Sequence, residues 1–179
     1  MSDTNITLVP RCAIYAEPKV QAAFILKWLV DLQVVEPEIS DCVLGSVGGY
    51  ARASGAASVV RIPERLSDLQ VSGLELITNR QIFDSGSNGL EEIICPHCGT
   101  DSSNTDLSFL GSWAEGETET ITCPHCETSH PIHSYAFSPA WGFSNLGFRF
   151  WNWPDFQVSF IEELESRLGC RIDVVHQRI

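Results

Sequence analysis

Between Glu91 and Tyr135 the sequence contains no lysine or arginine, and the whole chain of 179 residues has only 11 against 23 acidic residues. Eight carboxylates fall in that one stretch (Glu91, Glu92, Asp101, Asp106, Glu115, Glu117, Glu119 and Glu127), so it carries a formal −8 of a net −12. Such a surface repels a phosphate backbone, whose binding depends on Lys and Arg displacing counterions, and nucleic acid is not the expected partner. Long apolar runs are missing too. The most apolar stretch, residues 20–35, is interrupted by Lys27 and Asp31 and falls short of the roughly 20 apolar residues that a bilayer span requires. Residues 1–5 have neither the basic nor the apolar region of a secretory signal, which makes the cytoplasm the expected compartment. No P-loop, GxGxxG, HExxH, nucleophile elbow or paired-carboxylate signature is present, so a non-catalytic role is expected.

What the sequence does have is cysteine in a particular arrangement. Four of the seven cysteines form two copies of one tetrapeptide, Cys95-Pro96-His97-Cys98 and Cys123-Pro124-His125-Cys126, separated by 24 residues. Each copy turns tightly enough to aim two thiolates at one point. Proline fixes the turn, and Gly99 permits a left-handed backbone just past the second sulfur of the first copy. Four thiolates make the closed tetrahedral shell that zinc takes in structural sites, so one structural Zn²⁺ is expected. Cys12, Cys42 and Cys170 lie scattered in apolar contexts and read as small core residues.

The paired motifs resemble the zinc-ribbon, rubredoxin-like class over residues 91–135, and the rest of the chain matches no family pattern. Residues 117–122 alternate as a ribbon strand should, leading into the second motif. Three other readings share these residues. Cys-Pro-His-Cys resembles the active-site motif of thioredoxin-fold disulfide oxidases and would imply a thiol oxidoreductase. The same four sulfurs could hold iron. A mixed site of Cys123, Cys126, His130 and His133 also has plausible spacing, and it would orphan Cys95 and Cys98.

The remainder reads as α+β. A strand over residues 6–15 leads to a helix from Pro18 to Val34, with Val20, Phe24, Ile25, Trp28, Leu29 and Leu32 on one apolar face. Gly48 and Gly49 mark a hairpin turn or bulge, and residues 74–83 read as one strand. After the cysteine motifs come a strand over residues 146–153, a helix opened by Pro154 and closed by Gly169, and a last strand over residues 171–176. Residues 1–90 and 136–179 thus predict two β-α-β halves of a ferredoxin-like split β-α-β body, with the zinc ribbon inserted at residues 91–135.

A fold does not name a function, but two surfaces are candidates for recognition. Glu115, Glu117 and Glu119 would present the acidic ribbon to a basic protein partner, as in immunity-type or regulatory binding proteins. Arg149, Trp151 and Trp153 would share one strand face and could recognise a partner. As base-stacking residues they would instead serve a nucleic-acid-associated regulatory protein.

Overall fold

The computed structural model describes residues 2–179. In chain order its elements are β1 (Thr4–Pro10), α1 (Pro18–Asp31), β2 (Val35–Ser40), β3 (Gly49–Arg52), β4 (Gly73–Ile77), β5 (Gln81–Phe83), β6 (Glu92–Ile94), α2 (Phe109–Ala114) and β7 (Thr120–Thr122). There follow β8 (Ser129–Pro131), β9 (Ala136–Ser138), β10 (Gly142–Ser144), β11 (Gly147–Trp151), α3 (Val158–Leu168) and β12 (Ile172–Arg178). This is a mixed α/β chain with three α-helices among the described residues, built on a six-stranded antiparallel sheet of order β12-β1-β11-β4-β3-β2.

β11 pairs antiparallel with both β1 and β4, so β1 and β4 run the same way with β11 between them. β1 likewise separates β11 from β12. α1 leaves β1 and α3 joins β11 to β12, and both helices pack on one sheet face. Ile6 and Leu8 of β1, Leu74 of β4, and Phe148 and Phe150 of β11 meet Ile25 and Leu29 of α1 and Phe160, Leu164 and Leu168 of α3 in a single buried core. Residue alternation along the strands sends the odd-numbered side chains of β1 to the other face. There Asn5, Thr7, Glu75, Arg149 and Gln177 form a polar network, with Asn5 Nδ2 donating to Gln177 Oε1 at 2.8 Å and Arg149 pairing with Glu75 at 3.4 Å.

Several local expectations change, beginning with the first strand, which ends at Pro10 rather than at residue 15. α1 stops at Asp31 rather than Val34, because Gln33 takes a left-handed φ of 56° and Val34 and Val35 turn into the next strand. Its buried face is also narrower than the apolar pattern: Ala22, Ile25 and Leu29 are buried, whereas Val20, Phe24 and Leu32 are 57%, 51% and 46% exposed. Residues 74–83 do not form one strand, since the chain breaks after Ile77 and resumes at Gln81 in a second, two-stranded sheet with β10. Gly48, at φ 83° in the β2–β3 turn, and Gly169, at φ 69° closing α3, fall where expected.

Between β4 and β11, residues 81–144 carry a separate core of Ile93, Cys95, Trp113, Ile121, Cys123, Ile132, Tyr135 and Phe143. Two small ribbons frame it, β6 with β9 and β7 with β8. β9, β10 and the core residue Phe143 all lie past residue 135, where the cysteine module was expected to close. β10 sits tight on the body: a Cβ at Gly142 would stand 2.8 Å from Val9 Cβ.

Candidate metal centre

Each cysteine motif is held by the same backbone pattern. In the first, Gly99 N–H donates to Cys95 O at 3.0 Å and Cys95 N–H to Thr100 O at 3.1 Å. In the second, Glu127 N–H donates to Cys123 O at 2.9 Å and Cys123 N–H to Thr128 O at 3.0 Å. The residue after the second sulfur is left-handed in both, Gly99 at φ 70° and Glu127 at φ 57°. Glycine takes that conformation freely, whereas a Cβ-bearing residue there costs about 1–2 kcal/mol. Substitution at the two equivalent sites is therefore expected to act with opposite sign. Glu127→Gly should stabilise the cysteine lobe by roughly 0.5–1 kcal/mol and Gly99→Ala should destabilise it by about 1 kcal/mol. A Cβ at Gly99 would meet nothing within 4 Å, so its whole cost is conformational. Chemical denaturation of the two variants measures both.

The motifs bring Cys95, Cys98, Cys123 and Cys126 together, with all four sulfurs within 4.8 Å of one another. Cys95 Sγ lies 3.9 Å from Cys126 Sγ, and Cys98 Sγ lies 3.7 Å from Cys123 Sγ. A metal–sulfur bond of ≈ 2.3 Å in a regular tetrahedron places sulfurs about 3.8 Å apart, so the donor set fits a tetrahedral metal ion. The first cysteine of each motif is buried, while Cys98 is exposed and Cys126 partly so.

The thiols do not behave alike. Cys98 is pushed down to about 6, first by the Thr100 hydroxyl and then by its backbone N–H. Cys123 is also lowered: burial opposes its thiolate, but the N–H groups of Cys126 and His125 outweigh it. Cys126 is raised despite the Thr128 hydroxyl and N–H, because burial and the neighbouring Cys123 and Cys98 sulfurs disfavour another charge. Burial, then charge at Cys95, pushes the Tyr135 hydroxyl up. Clustered thiolates repel one another, and a divalent cation among them removes the conflict.

His130 and His133 do not join the cluster among the described residues. The mixed Cys123/Cys126/His130/His133 site is therefore corrected: His133 Nε2 lies 2.7 Å from Phe143 O, and His130 stacks with His97 at 6.0 Å between centroids. His97 and His125 are exposed on the outside of the motifs.

The acidic stretch is less uniform in space than in sequence. Asp101 accepts from Ile93 N–H at 2.9 Å and from Ser103, and Asp106 accepts from Ser108, so both carboxylates brace loops. Glu115 and Glu117 are exposed and have no ion-pair partner among the described residues, but Glu119 is bound by Arg80 at 2.7 Å. Arg80 was not singled out from the sequence. It lies outside the acidic stretch, yet its guanidinium rests 3.8 Å over Trp113 and Nε donates to Trp113 O at 2.7 Å.

The strand aromatics are placed differently from the expectation. Trp151 and Trp153 are 3% and 4% exposed and so present no stacking surface. They also do not share a face. Asn152, at φ 56°, reverses the alternation, so Trp151 packs with Cys42 and Val43 while Trp153 joins Phe150 in the main core. Arg149 is largely covered, facing Glu75 and Trp151 rather than solvent. Of the scattered cysteines, Cys42 is buried and Cys12 and Cys170 partly so.

No family model, curated protein or solved structure matches the chain. Among the described residues, no helix is long and apolar enough to cross a membrane.

Proposed function

We propose that this chain is a non-catalytic cytoplasmic binding protein whose four-cysteine centre is a structural zinc site. On this reading a zinc ribbon is inserted into a ferredoxin-like split β-α-β body, and the ribbon's acidic face recognises a basic protein partner. The observation that carries it is the closed four-sulfur shell. A tetrahedral ion with four protein sulfurs keeps no open position for substrate, which is the arrangement of structural rather than catalytic zinc. All four sulfurs, two from each motif, lie within 4.8 Å of one another, which favours a shared ion over thiol–disulfide exchange within one Cys-x-x-Cys. The strand order β12-β1-β11-β4 supports the split β-α-β reading, with α1 and α3 on one face.

For recognition, the supporting feature is the set of exposed carboxylates Glu91, Glu92, Glu115, Glu117 and Glu127, joined by the formal −2 left on a divalent ion bound by four thiolates. Burial of Trp151 and Trp153 removes the base-stacking surface that a nucleic-acid role required.

Two measurements test this. Elemental analysis of purified protein should give one zinc per chain; a red, iron-containing protein or metal-free folded protein would sink the zinc assignment. With a partner isolated by affinity capture, association should be fast at low salt and should slow as ionic strength rises. The Glu115→Gln/Glu117→Gln variant should flatten that salt slope, and an unchanged slope would remove the acidic face from recognition.

A further inference from the structure

The 11 basic side chains are not evenly neutralised. Seven pair with carboxylates: Arg11 with Asp173, Lys27 with Asp31, Arg52 with Asp68, Arg80 with Glu119, Arg149 with Glu75, Arg167 with Glu163 and Arg171 with Glu165. Among the described residues, Lys19, Arg61, Arg65 and Arg178 have no such partner. Three of those four, Arg61, Arg65 and Arg178, line a single cleft of about 720 Å³ on the body. In a chain with twice as many acids as bases, three solvent-exposed arginines without a carboxylate partner on one cleft leave a local cationic surface with donors free for an anion.

The cleft is bounded by β1, β12, the 61–69 loop and the turn after β11. The backbone of Arg61 is anchored at the cleft, its N–H donating to Asp155 O at 2.7 Å. Arg178 is held by Nε donation to Ser2 Oγ at 3.1 Å, which leaves its terminal nitrogens available. His176 stands in the same cleft with Nε2 2.8 Å from Asp155 Oδ1, the only acidic side chain on the wall among the described residues. Trp153 adds an apolar wall, and its buried indole N–H has no hydrogen-bond partner. The volume lies in the range of small-molecule sites, too large for a lone oxyanion.

We propose that this cleft binds a small phosphate-bearing ligand of the nucleoside diphosphate class. Arg61, Arg65 and Arg178 take the phosphates through forked N–H donors, and the apolar wall takes the organic part. Apart from Asn88 of the loop after β5, the lining belongs to the body, and it shares no residue with the four-cysteine centre or with Glu115 and Glu117.

The test uses full-length, metal-loaded protein titrated with ADP, pyrophosphate and a single-stranded oligothymidylate, followed by calorimetry and thermal shift. ADP should bind saturably and more tightly than pyrophosphate. Arg61→Gln/Arg65→Gln and Arg178→Gln should each weaken it about tenfold or more, with the unfolding midpoint without ligand and the metal content unchanged. Lys19→Gln, the unpaired cation elsewhere, should leave ADP binding intact. Absence of saturable ADP binding, or ADP binding indifferent to both arginine variants, overturns the proposal. Binding of the oligothymidylate through these arginines without ADP binding overturns it in favour of a nucleic-acid site.

Discussion

Replacing Cys95 or Cys123 with serine is expected to release the metal and unfold the lobe formed by residues 81–144, while the main sheet keeps a cooperative transition of its own. Both residues are almost fully buried, at 1% and 0% exposure, and they sit in the lobe's core beside Ile93, Trp113, Ile121 and Ile132. That core is small. In such modules metal affinity is folding free energy, with apparent values of about 10–16 kcal/mol for structural zinc in finger peptides. A serine hydroxyl does not ionise to supply the missing anionic donor, so the loss should be close to all-or-none for the lobe. The body has its own reserve in the core that α1 and α3 cover. Amide signals of β12 should therefore persist after those of β6 to β9 collapse. The weld at Gly142 against Val9 predicts that the body's midpoint also falls, without vanishing. If either substitution abolished every cooperative transition, the two cores would be one folding unit and the inserted-lobe reading would fail.

How legible each feature was depends on how local its cause is. The cysteine centre could be read because its chemistry repeats within four residues and the spacing leaves few partners for four thiols. The turn glycines and the end of α3 could be read for the same reason, since Gly48 and Gly169 act within one turn of themselves. The faces of elements were harder. Periodicity shows which residues of α1 are apolar, but the sheet beneath covers only Ala22, Ile25 and Leu29. Likewise, strict alternation put Trp151 and Trp153 together until the positive φ at Asn152 reversed it. An asparagine at such a site is a known exception to the L-residue preference, but one asparagine in a sequence carries too little signal to place it.

Charge was the least legible property, because a carboxylate's effect depends on a partner that sequence distance conceals. The stretch from Glu91 to Tyr135 looked uniformly acidic, yet two of its carboxylates brace loops and a third belongs to Arg80. The cleft lined by Arg61, Arg65 and Arg178 gave no sign in the sequence, since it joins one loop to the opposite end of the chain. Only pairing in space decides which cations are left over.

Arg80→Ala is expected to destabilise the metal lobe by roughly 2–4 kcal/mol, more than any other single surface-accessible substitution in it. Arg80 sits where the sequence predicted an unbroken strand, and the break after Ile77 lets its side chain reach the lobe. There it makes Nε to Trp113 O at 2.7 Å, Nη1 to Glu119 Oε1 at 2.7 Å and Nη2 to Thr118 O at 3.4 Å, spanning 33 to 39 residues. Its guanidinium also covers the Trp113 ring at 3.8 Å. The side chain is only 17% exposed, so these bonds are sheltered from water, whereas Glu119 is 44% exposed and its share of the ion pair is screened. Glu119→Gln should accordingly cost well under ~1 kcal/mol. Arg80→Lys should recover less than half of the loss, because an ammonium cannot serve three diverging acceptors while lying flat on an indole. Loss of the Trp113 indole and β6–β9 amide signals during denaturant unfolding reports the ranking directly. A Glu119→Gln loss equal to that of Arg80→Ala would mean the ion pair dominates and the fork onto Trp113 and Thr118 does not. A full rescue by lysine would mean that charge alone, rather than the planar geometry of the fork, ties the lobe to the loop after β4.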